Sequence, residues 1–483
     1  MGSVNKVSLR AEFVGLKGQF EELCARGRIS AESRALFQAL LTLFEVLMAL
    51  FMEKSTPKNS RNASVPPSQT PKDDETASQP GTQSKGKNYD PVHARHTRTV
   101  ETVAIAPLTA CANCGADLSA TPCQGHERRT RIDILFEKVV SHVDAEIKSC
   151  PRCRALTKGT FPAELSGPLH YGTAIKAFVL HLLVSQMVAL KRVQQTLATL
   201  IEQILSEATL LKWVLQLHHA LAEWERTAID QLLTQPTLHV DETSLRVERK
   251  NHWIHVCSGA DITLKFLHPK RGQEAITAIN IIPRYGGTII HDCWASYLSY
   301  TQCRHGLCGA HLLRELTFVV ESNAYPWAKN LKRLLKNTRA KVAERQSKQL
   351  TQLEYKNLRK RYRTILTQGA KQLPPLPPRK KGSRGRLAKS DAHNLWERFK
   401  HYEDAVLLFA KLPHVPFTNN RAERDLRMSK VKQKVSGCFR TREYAEAYCR
   451  ISSYLQTMAH RGYNPLVAIQ MALSGQLYAE GGA

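Results

Sequence analysis

Two Cys-x2-Cys pairs form the strongest metal-binding pattern in the sequence. Their four thiols belong to Cys111, Cys114, Cys150 and Cys153. Two thiolates from each pair suit tetrahedral Zn²⁺, and a site with four protein ligands has no open position for catalysis. We therefore predict a structural zinc site, with Cys123 and His126 as further potential ligands. The alternative is four thiols that bind no metal.

Three carboxylates that are far apart in the sequence have residue types suited to a second, catalytic metal site. Asp241 lies in the β-rich run TLHVDETSLRV, and Asp292 ends the apolar run TIIHD. If these runs are neighbouring strands, a carboxylate from a later helix, such as Glu423, completes the cluster that two-metal phosphoryl transfer requires. The alternative for Asp241 is a polar residue at a strand end. Glu242 is a close competitor that strand alternation directs to the opposite face.

The segment FTNNRAERDLRMSKVKQK surrounds Glu423 with cations. Helical spacing places Glu423, Arg427, Lys430 and Lys434 on one face. With Arg424, these cations are candidate contacts for DNA phosphates. Alternatively, Asn420 caps the helix with Glu423 in an approximate capping box, Glu423 pairs with Arg427, and the cations form a solvated face.

A Cys-x2-His motif, Cys308 and His311, follows the second aspartate. It is a candidate core site. Cys303 and His305 lie close by in the sequence, so zinc binding is one interpretation. Buried packing with hydrogen bonding is the other.

The elements that must position these residues can be predicted from periodicity. Three β-rich runs at short spacing, beginning with TLHVDETSLRV, predict an antiparallel meander. A helix, GQEAITAIN, and a short buried strand, GTIIHDCW, follow, and the chain then turns helical apart from a Pro-rich basic loop at Leu373–Arg386. The predicted order of elements is three strands, a helix, a strand and a helix. This is the order found in a ribonuclease-H-like α/β core.

Composition shifts divide the chain into five segments. They are a helical, coiled-coil-like segment (1–54), a disordered linker (55–98), a zinc ribbon (99–158), a helix-turn-helix-like DNA-binding domain (159–235) and a ribonuclease-H-like catalytic domain (236–483) with a helical insertion at about 300–415. In the fourth segment a break near Ile204–Leu205 separates two helices, the second beginning near Ser206. A plain helical hairpin fits the same pattern.

The first segment carries leucines at heptad-like spacing: Leu36, Leu40, Leu43, Leu47 and Leu50. They predict a seam for self-association or for packing on the same chain. The run is short for a membrane span and carries Glu45, so we interpret it as a packed helix.

The net charge of the chain indicates what kind of molecule it binds. The chain has 69 Lys and Arg against 42 Asp and Glu, a net charge of +27, which favours a polyanion, first of all nucleic acid and second a membrane surface. No secretion signal opens the sequence, and twelve cysteines in so long a chain are not a disulfide scaffold. We therefore expect a reducing cytoplasm.

Several longer segments resemble the transposases of the insertion-sequence-66 family. They are HVDETSLRV, HPKRG, IIHDCWASY, LCGAHLLREL and FTNNRAERDLRMSKVKQKVSGCFRT, with PKNSRNASVPPSQ and both cysteine pairs. The resemblance extends in order over nearly the whole chain from about residue 55. It implies that the family's Asp-Asp-Glu triad falls on Asp241, Asp292 and Glu423.

The resemblance implies an enzyme that binds the inverted repeats at the ends of its own element. It also implies strand cleavage and strand transfer into target double-stranded DNA with Mg²⁺ or Mn²⁺, in the bacterial cytoplasm at the nucleoid. Further copies of the chain and accessory proteins encoded by the element are the other expected partners, with no membrane. Two alternatives remain: a zinc-containing DNA-binding regulator with an inactive core, and a nuclease on the same fold that does not join strands.

Overall fold

The structure is a computed structural model that describes most of the chain. The described residues are 6–27, 29–54, 56, 58–59, 62–63, 108–127, 129, 136–165, 167–376 and 389–477. Most of the predicted linker (55–98) and of the Pro-rich loop therefore lies outside the described residues. The chain divides into two compact units, residues 71–140 and all remaining residues, and each is described by itself.

Two N-terminal helices pack side by side. Helix α1 (Lys6–Ala25) contacts α2 (Ala31–Lys54) through the stacked rings of Phe13 and Phe44, 5.2 Å apart, and an ion pair of 2.7 Å between Lys17 and Glu45. Helix α2 is long and apolar enough to cross a membrane, by length and composition alone. Only 11% of its most apolar stretch is buried in the structure. The leucines of the predicted seam from Leu36 to Leu47 are exposed. Self-association through them stays a prediction.

A four-helix stretch precedes the sheet. Its members are α3 (Thr173–Leu180), α4 (Leu190–Ile201), α5 (Glu207–Ala220) and α6 (Ala222–Leu233). The break between α4 and α5 occurs where it was predicted: Glu202 takes the left-handed conformation that ends α4, and Ser206 caps α5 by accepting from the Thr209 N–H at 3.1 Å. Such a cap stabilises a helix start by about 1 kcal/mol.

Five strands form one mixed sheet in the order β5-β4-β3-β6-β7. These strands are β3 (Thr237–Val247), β4 (Lys250–Gly259), β5 (Ile262–His268), β6 (Thr288–His291) and β7 (Arg304–Leu307). Earlier in the chain, β1 (Ile147–Ser149) and β2 (Leu156–Lys158) form a small separate antiparallel pair. The first three are the predicted antiparallel meander, while β6 and β7 run parallel to β3. Helices α7 (Gln273–Ile279) and α8 (Ala295–Leu298) follow β5 and β6. The predicted order of three strands, helix, strand and helix is confirmed.

Strand β7 was missed, because the sequence analysis has the chain turn helical directly after β6. The strand has only four residues, and it forms because the edge of β6 offers unpaired backbone groups. Gly306 lies opposite Ile290 in this pair, and a Cβ there would lie 2.5 Å from Ile290 Cδ1 and would displace the end of that side chain.

The helices between β7 and the last three helices form a separate apolar cluster. They are α9 (Gly309–Asn323), α10 (Pro326–Glu344), α11 (Gln352–Gln372), α12 (Asp391–His401) and α13 (Glu403–Lys411). These helices lie in the range where the insertion, about 300–415, is predicted. The end of α2 is fixed to this cluster. The buried Glu53 carboxylate accepts from the N–H groups of Asp391 at 2.6 Å and Ala392 at 2.9 Å.

Three C-terminal helices return to the sheet: α14 (Asn420–Ser436), α15 (Arg442–His460) and α16 (Pro465–Leu473). Helix α14 packs on β3, and α15 packs on β5 and α5. Buried residues of α3 to α6, the sheet and α15–α16 form one continuous apolar cluster. The helical stretch before the sheet is therefore packed into the same core as the strands.

Candidate functional site: a carboxylate cluster beside a cationic helix

The two aspartates come from neighbouring parallel strands: Asp241 lies within β3, and Asp292 directly follows the end of β6. The pairing of β3 with β6 runs as far as His239 opposite Ile290, and Asp241 and Asp292 each lie two residues further along. Because residues two apart on a strand point to the same side, the two carboxylates follow the same face beyond the last paired residues. The sequence prediction placed Asp292 in the fourth strand, and the structure places it directly after that strand.

The turn after Asp292 is held by its neighbours. The Asp292 carboxylate accepts from the Trp294 N–H at 3.0 Å, and the Cys293 N–H donates to Nδ1 of the buried His291 at 3.1 Å. Cys293 has a φ of 77°, which is unfavourable for a residue with a side chain. These contacts offset that strain and keep the carboxylate in one orientation.

Helix α14 brings Glu423 to the same edge of the sheet, and Asn419 fixes it there. The Asn419 side chain donates to the carbonyl of Val240 at 2.8 Å and accepts from His239 Nδ1 at 2.9 Å. Both partners lie in β3, next to Asp241. Asn419 is 2% exposed, so these bonds anchor the start of α14 to the strand that carries the first aspartate. The sequence analysis did not single out Asn419.

Neighbouring carboxylates act on the pKa of Asp241. Burial raises the pKa of Asp241 to about 8, with further increases from the negative charges of Glu242, Asp292 and Glu423. A carboxylate in such surroundings is destabilised unless a cation lies among the acidic groups. Three oxygen donors of this kind fit a hard divalent ion such as Mg²⁺.

Glu423 does not take part in the capping alternative. Asn419, not Asn420, precedes α14, and its side chain makes no cap hydrogen bond. The Glu423 carboxylate lies 3.6 Å from His311 Nδ1 and 3.8 Å from Arg314, and no ion pair with Arg427 occurs in the described part of the chain. The alternative that Glu423 serves as a capping residue paired with Arg427 is therefore wrong.

Cys308 and His311 meet Glu423 at the start of α9. Cys308 precedes the helix and its Sγ accepts from the Asn419 N–H at 3.2 Å. Burial raises the pKa of Cys308, and burial lowers the pKa of His311, an effect that Arg314 reinforces. Cys308 is therefore buried and hydrogen-bonded, and zinc binding by this motif stays a prediction. The thiol, the ring of His311 and the carboxylate of Glu423 nevertheless lie within 4.8 Å of one another.

Glu242 lies on the opposite face of β3, as alternation predicted, but it is not a free carboxylate. Its side chain accepts from Tyr297 at 2.5 Å and pairs with Arg271 at 2.7 Å. Arg271 in turn stacks on Trp253 and Trp294, with its guanidinium 5.0 and 4.4 Å from the two ring centroids. Glu242 therefore holds Arg271 against Trp294, two residues after Asp292.

The predicted phosphate contacts form an exposed row on α14. Its members are Arg424, Arg427, Lys430 and Lys434, and all four side chains are exposed. None of them has a carboxylate partner among the residues that the structure describes. By contrast Arg421, on the other side of α14, lies 3.6 Å from Asp425. Unpaired cations that point to solvent favour an anionic partner.

Each Cys-x2-Cys pair forms the same tight loop within its own unit. In residues 71–140 the Cys111 carbonyl accepts from the Gly115 N–H at 2.9 Å, and elsewhere the Cys150 carbonyl accepts from the Arg154 N–H at 2.8 Å. In the first loop the backbone N–H of Cys114 lowers the pKa of Cys111. In the second loop the backbone N–H of Cys153 lowers the pKa of Cys150 in the same way. Such hydrogen bonds favour thiolates, the form that binds zinc. Cys123 Sγ lies 3.8 Å from His126 Nε2.

An acidic cluster at a sheet edge, next to an exposed row of cations, is the arrangement of enzymes that act on nucleic acid. A family model described as Transposase IS66 family matches residues 169–447. This match spans more than half of the chain, and the chain belongs to the IS66 family of transposases. The predicted family is thereby confirmed. No curated protein matches the chain.

Proposed function

We propose that this transposase cleaves DNA at the ends of its own element and joins them to target DNA through Asp241, Asp292 and Glu423. One observation carries the proposal. Asp241 lies in β3, Asp292 directly follows the adjacent parallel strand β6, and α14, which carries Glu423, is tied to β3 at its start by Asn419. The resulting surplus of negative charge around Asp241 supports a shared metal site.

A ribonuclease-H-like core is the fold that we infer for this sheet. Three antiparallel strands are followed by two that run parallel to the first, and the strand order is β5-β4-β3-β6-β7. In such a sheet the first and fourth strands in the sequence are neighbours, which is why Asp241 and Asp292 meet. The helices α9 to α13 are inserted between the second aspartate and Glu423.

Mg²⁺ or Mn²⁺ would be held by the oxygens of the three carboxylates. Divalent ions at such a site activate an attacking oxygen and stabilise a leaving oxygen. Asp241 and Asp292 contribute rigidly positioned ligands, because strands and the turn at Cys293 fix their backbone. Glu423 contributes a ligand from a separate helix.

The cations of α14 bind and orient DNA in this proposal. Arg424, Arg427, Lys430 and Lys434 contact phosphates on both sides of the reacting bond, and a net charge of +27 attracts the rest of the duplex. Helices α4 and α5 are proposed to read the inverted repeats of the element ends as a helix-turn-helix.

Further parts of the proposal rest on the sequence. The four cysteines of the two Cys-x2-Cys loops hold one structural zinc ion of a zinc ribbon, and the exposed leucines of α2 join copies of the chain. Accessory proteins encoded by the element and target DNA are the other partners, and the location is the bacterial cytoplasm at the nucleoid.

A plasmid assay with labelled element ends tests the function. Wild-type protein with Mg²⁺ should cleave and join the ends, and Glu423→Gln should reduce both by roughly 10³-fold or more while DNA binding persists. The matched control is Glu443→Gln, an exposed carboxylate at the start of α15, which should retain activity.

The outcomes separate the alternatives. Cleavage without joining by the wild-type protein would identify a nuclease on this fold. DNA binding without any cleavage would identify a regulator with an inactive core. Equal activity of Glu423→Gln and Glu443→Gln would remove Glu423 from the triad.

A further inference from the structure

A sulfur, a nitrogen and an oxygen ligand converge behind the proposed catalytic site. Cys308 Sγ, a ring nitrogen of His311 and a carboxylate oxygen of Glu423 all lie within 4.8 Å of one another. Cys308 and His311 come from the start of α9, whereas Glu423 comes from α14. The three groups are therefore brought together by tertiary packing and not by sequence proximity.

Two of the three ligand atoms are buried without hydrogen bonds. His311 Nδ1 and Glu423 Oε1 each lack a hydrogen-bond partner in the described part of the chain, and they face each other at 3.6 Å. Buried polar atoms in native proteins nearly always have a hydrogen-bond partner. Two neighbouring atoms that both lack one therefore need an explanation. An ion bound between them supplies one.

The backbone around the cluster keeps the ligands in place. Phe417 lies directly on Gly309, where a Cβ would be 2.3 Å from its ring, and the Gly309 N–H donates to the Phe417 carbonyl at 2.8 Å. The Asn419 N–H donates to Cys308 Sγ at 3.2 Å, and the backbone N–H groups of His311 and Ala310 also act on this thiol. Such donors favour the thiolate, the form that binds a metal. These contacts fix α9 and α14 against each other, so the site is built before any ion arrives.

The donor set selects the kind of ion. A thiolate, an imidazole and a carboxylate suit Zn²⁺ and related transition ions, whereas Mg²⁺ prefers oxygen ligands alone. Three protein ligands also leave one coordination position open. We propose that Cys308, His311 and Glu423 form a binding site for a transition ion of the zinc class, separate from the Cys-x2-Cys loops.

This site has a consequence that rests on the proposed function, because Glu423 belongs to both sets of ligands. An ion held by Cys308 and His311 takes the Glu423 carboxylate away from Asp241 and Asp292. Binding of zinc at this site therefore competes with Mg²⁺ and suppresses strand cleavage. When the zinc-class ion leaves, Arg314, 3.8 Å from Glu423, balances the carboxylate charge.

Co²⁺ titration of the full-length protein tests the site without any DNA reaction. Thiolate ligation gives Co²⁺ an intense near-ultraviolet charge-transfer band, so wild-type protein should bind about one Co²⁺ per chain more than Cys308→Ser does. Both proteins retain the two Cys-x2-Cys loops, so any signal from them cancels in the comparison. His311→Gln should show the same loss.

Controls distinguish this site from the catalytic triad and from general damage. Cys303→Ser alters another buried cysteine, whose Sγ donates to the Tyr285 carbonyl at 3.1 Å, and should keep the full Co²⁺ signal. Asp241→Asn should also keep it, since Asp241 is not a ligand of the ion. A cooperative thermal unfolding transition shows that a variant is folded. If Cys308→Ser does not fold, the Co²⁺ titration of His311→Gln decides the result.

The competition is measured as the Mg²⁺ concentration that gives half-maximal cleavage. Zn²⁺ should raise this concentration for the wild-type protein, and Cys308→Ser should remove that shift relative to its own zinc-free activity. Equal Co²⁺ binding by wild-type protein, Cys308→Ser and His311→Gln would overturn the site, whatever the cleavage assay shows. Absence of cleavage by the wild-type protein, together with a normal Co²⁺ signal, would overturn the proposed function and leave the site standing.

Discussion

The backbone N–H of Asn419 donates to Sγ of Cys308 at 3.2 Å, and this contact joins the segment before α14 to the segment before α9. The same asparagine uses its side chain to hold the backbone of β3 at Val240. One buried residue thus links three elements that carry or support the carboxylate cluster. This link fixes the start of α14, the helix that carries Glu423.

Asn419→Ala should lower both stability and activity. The substitution leaves the buried Val240 carbonyl and His239 without partners, which costs about 1–3 kcal/mol in the free energy of unfolding. Misplacement of Glu423 should reduce cleavage by roughly 10–100-fold, as for other residues that orient metal ligands. Urea denaturation and the plasmid assay measure the two effects. The adjacent Asn420 is exposed, and Asn420→Ala should change neither.

Mg²⁺ should stabilise the folded protein, because the ion compensates the mutual repulsion of the carboxylates around Asp241. At an Mg²⁺ concentration of 100 times the dissociation constant, the gain is about 2.7 kcal/mol. A rise in the thermal unfolding temperature measures it. Asp241→Asn should be more stable than the wild-type protein without Mg²⁺ and should gain little from its addition. An equal rise for both proteins would show that Asp241 holds no ion.

Arg427→Ala should weaken DNA binding by a similar factor for all sequences. Arg427 is exposed on α14 without a carboxylate partner in the described chain, so its loss should reduce the slope of log affinity against log salt by about 1. Fluorescence anisotropy at several salt concentrations measures this slope. The control is Lys341→Ala, in which the lost charge is already neutralised by Glu354 at 2.8 Å. An unchanged slope for Arg427→Ala would exclude a phosphate contact.

Cys150→Ser should remove bound zinc from the purified protein. A structural site with four thiolates supplies folding energy, and the loss of one ligand weakens binding and unfolds the ribbon locally. Elemental analysis should fall from about one zinc ion per chain towards none. Cys24→Ser, in α1, should retain the metal. Wild-type protein free of zinc after purification without chelators would contradict the ribbon.

Local patterns were sufficient for most of the elements around the site. Alternating apolar residues predicted β3 to β5, and a short apolar run predicted β6, because burial of one or both strand faces leaves a direct trace in the sequence. The same reasoning missed β7. That strand contains His305 and Gly306 and exists because β6 offers it an edge, a cause that no local pattern records.

The sequence by itself determined the family, the residue types of the proposed triad and the row of cations on α14, since all of these are properties of motifs and spacing. Only the tertiary structure decided what surrounds Glu423. Helical periodicity suggested a pair with Arg427, yet packing of α14 on β3 and α9 turns the carboxylate towards His311 and Arg314. Contacts between residues distant in the chain depend on how helices and strands pack, and packing is set by the whole core.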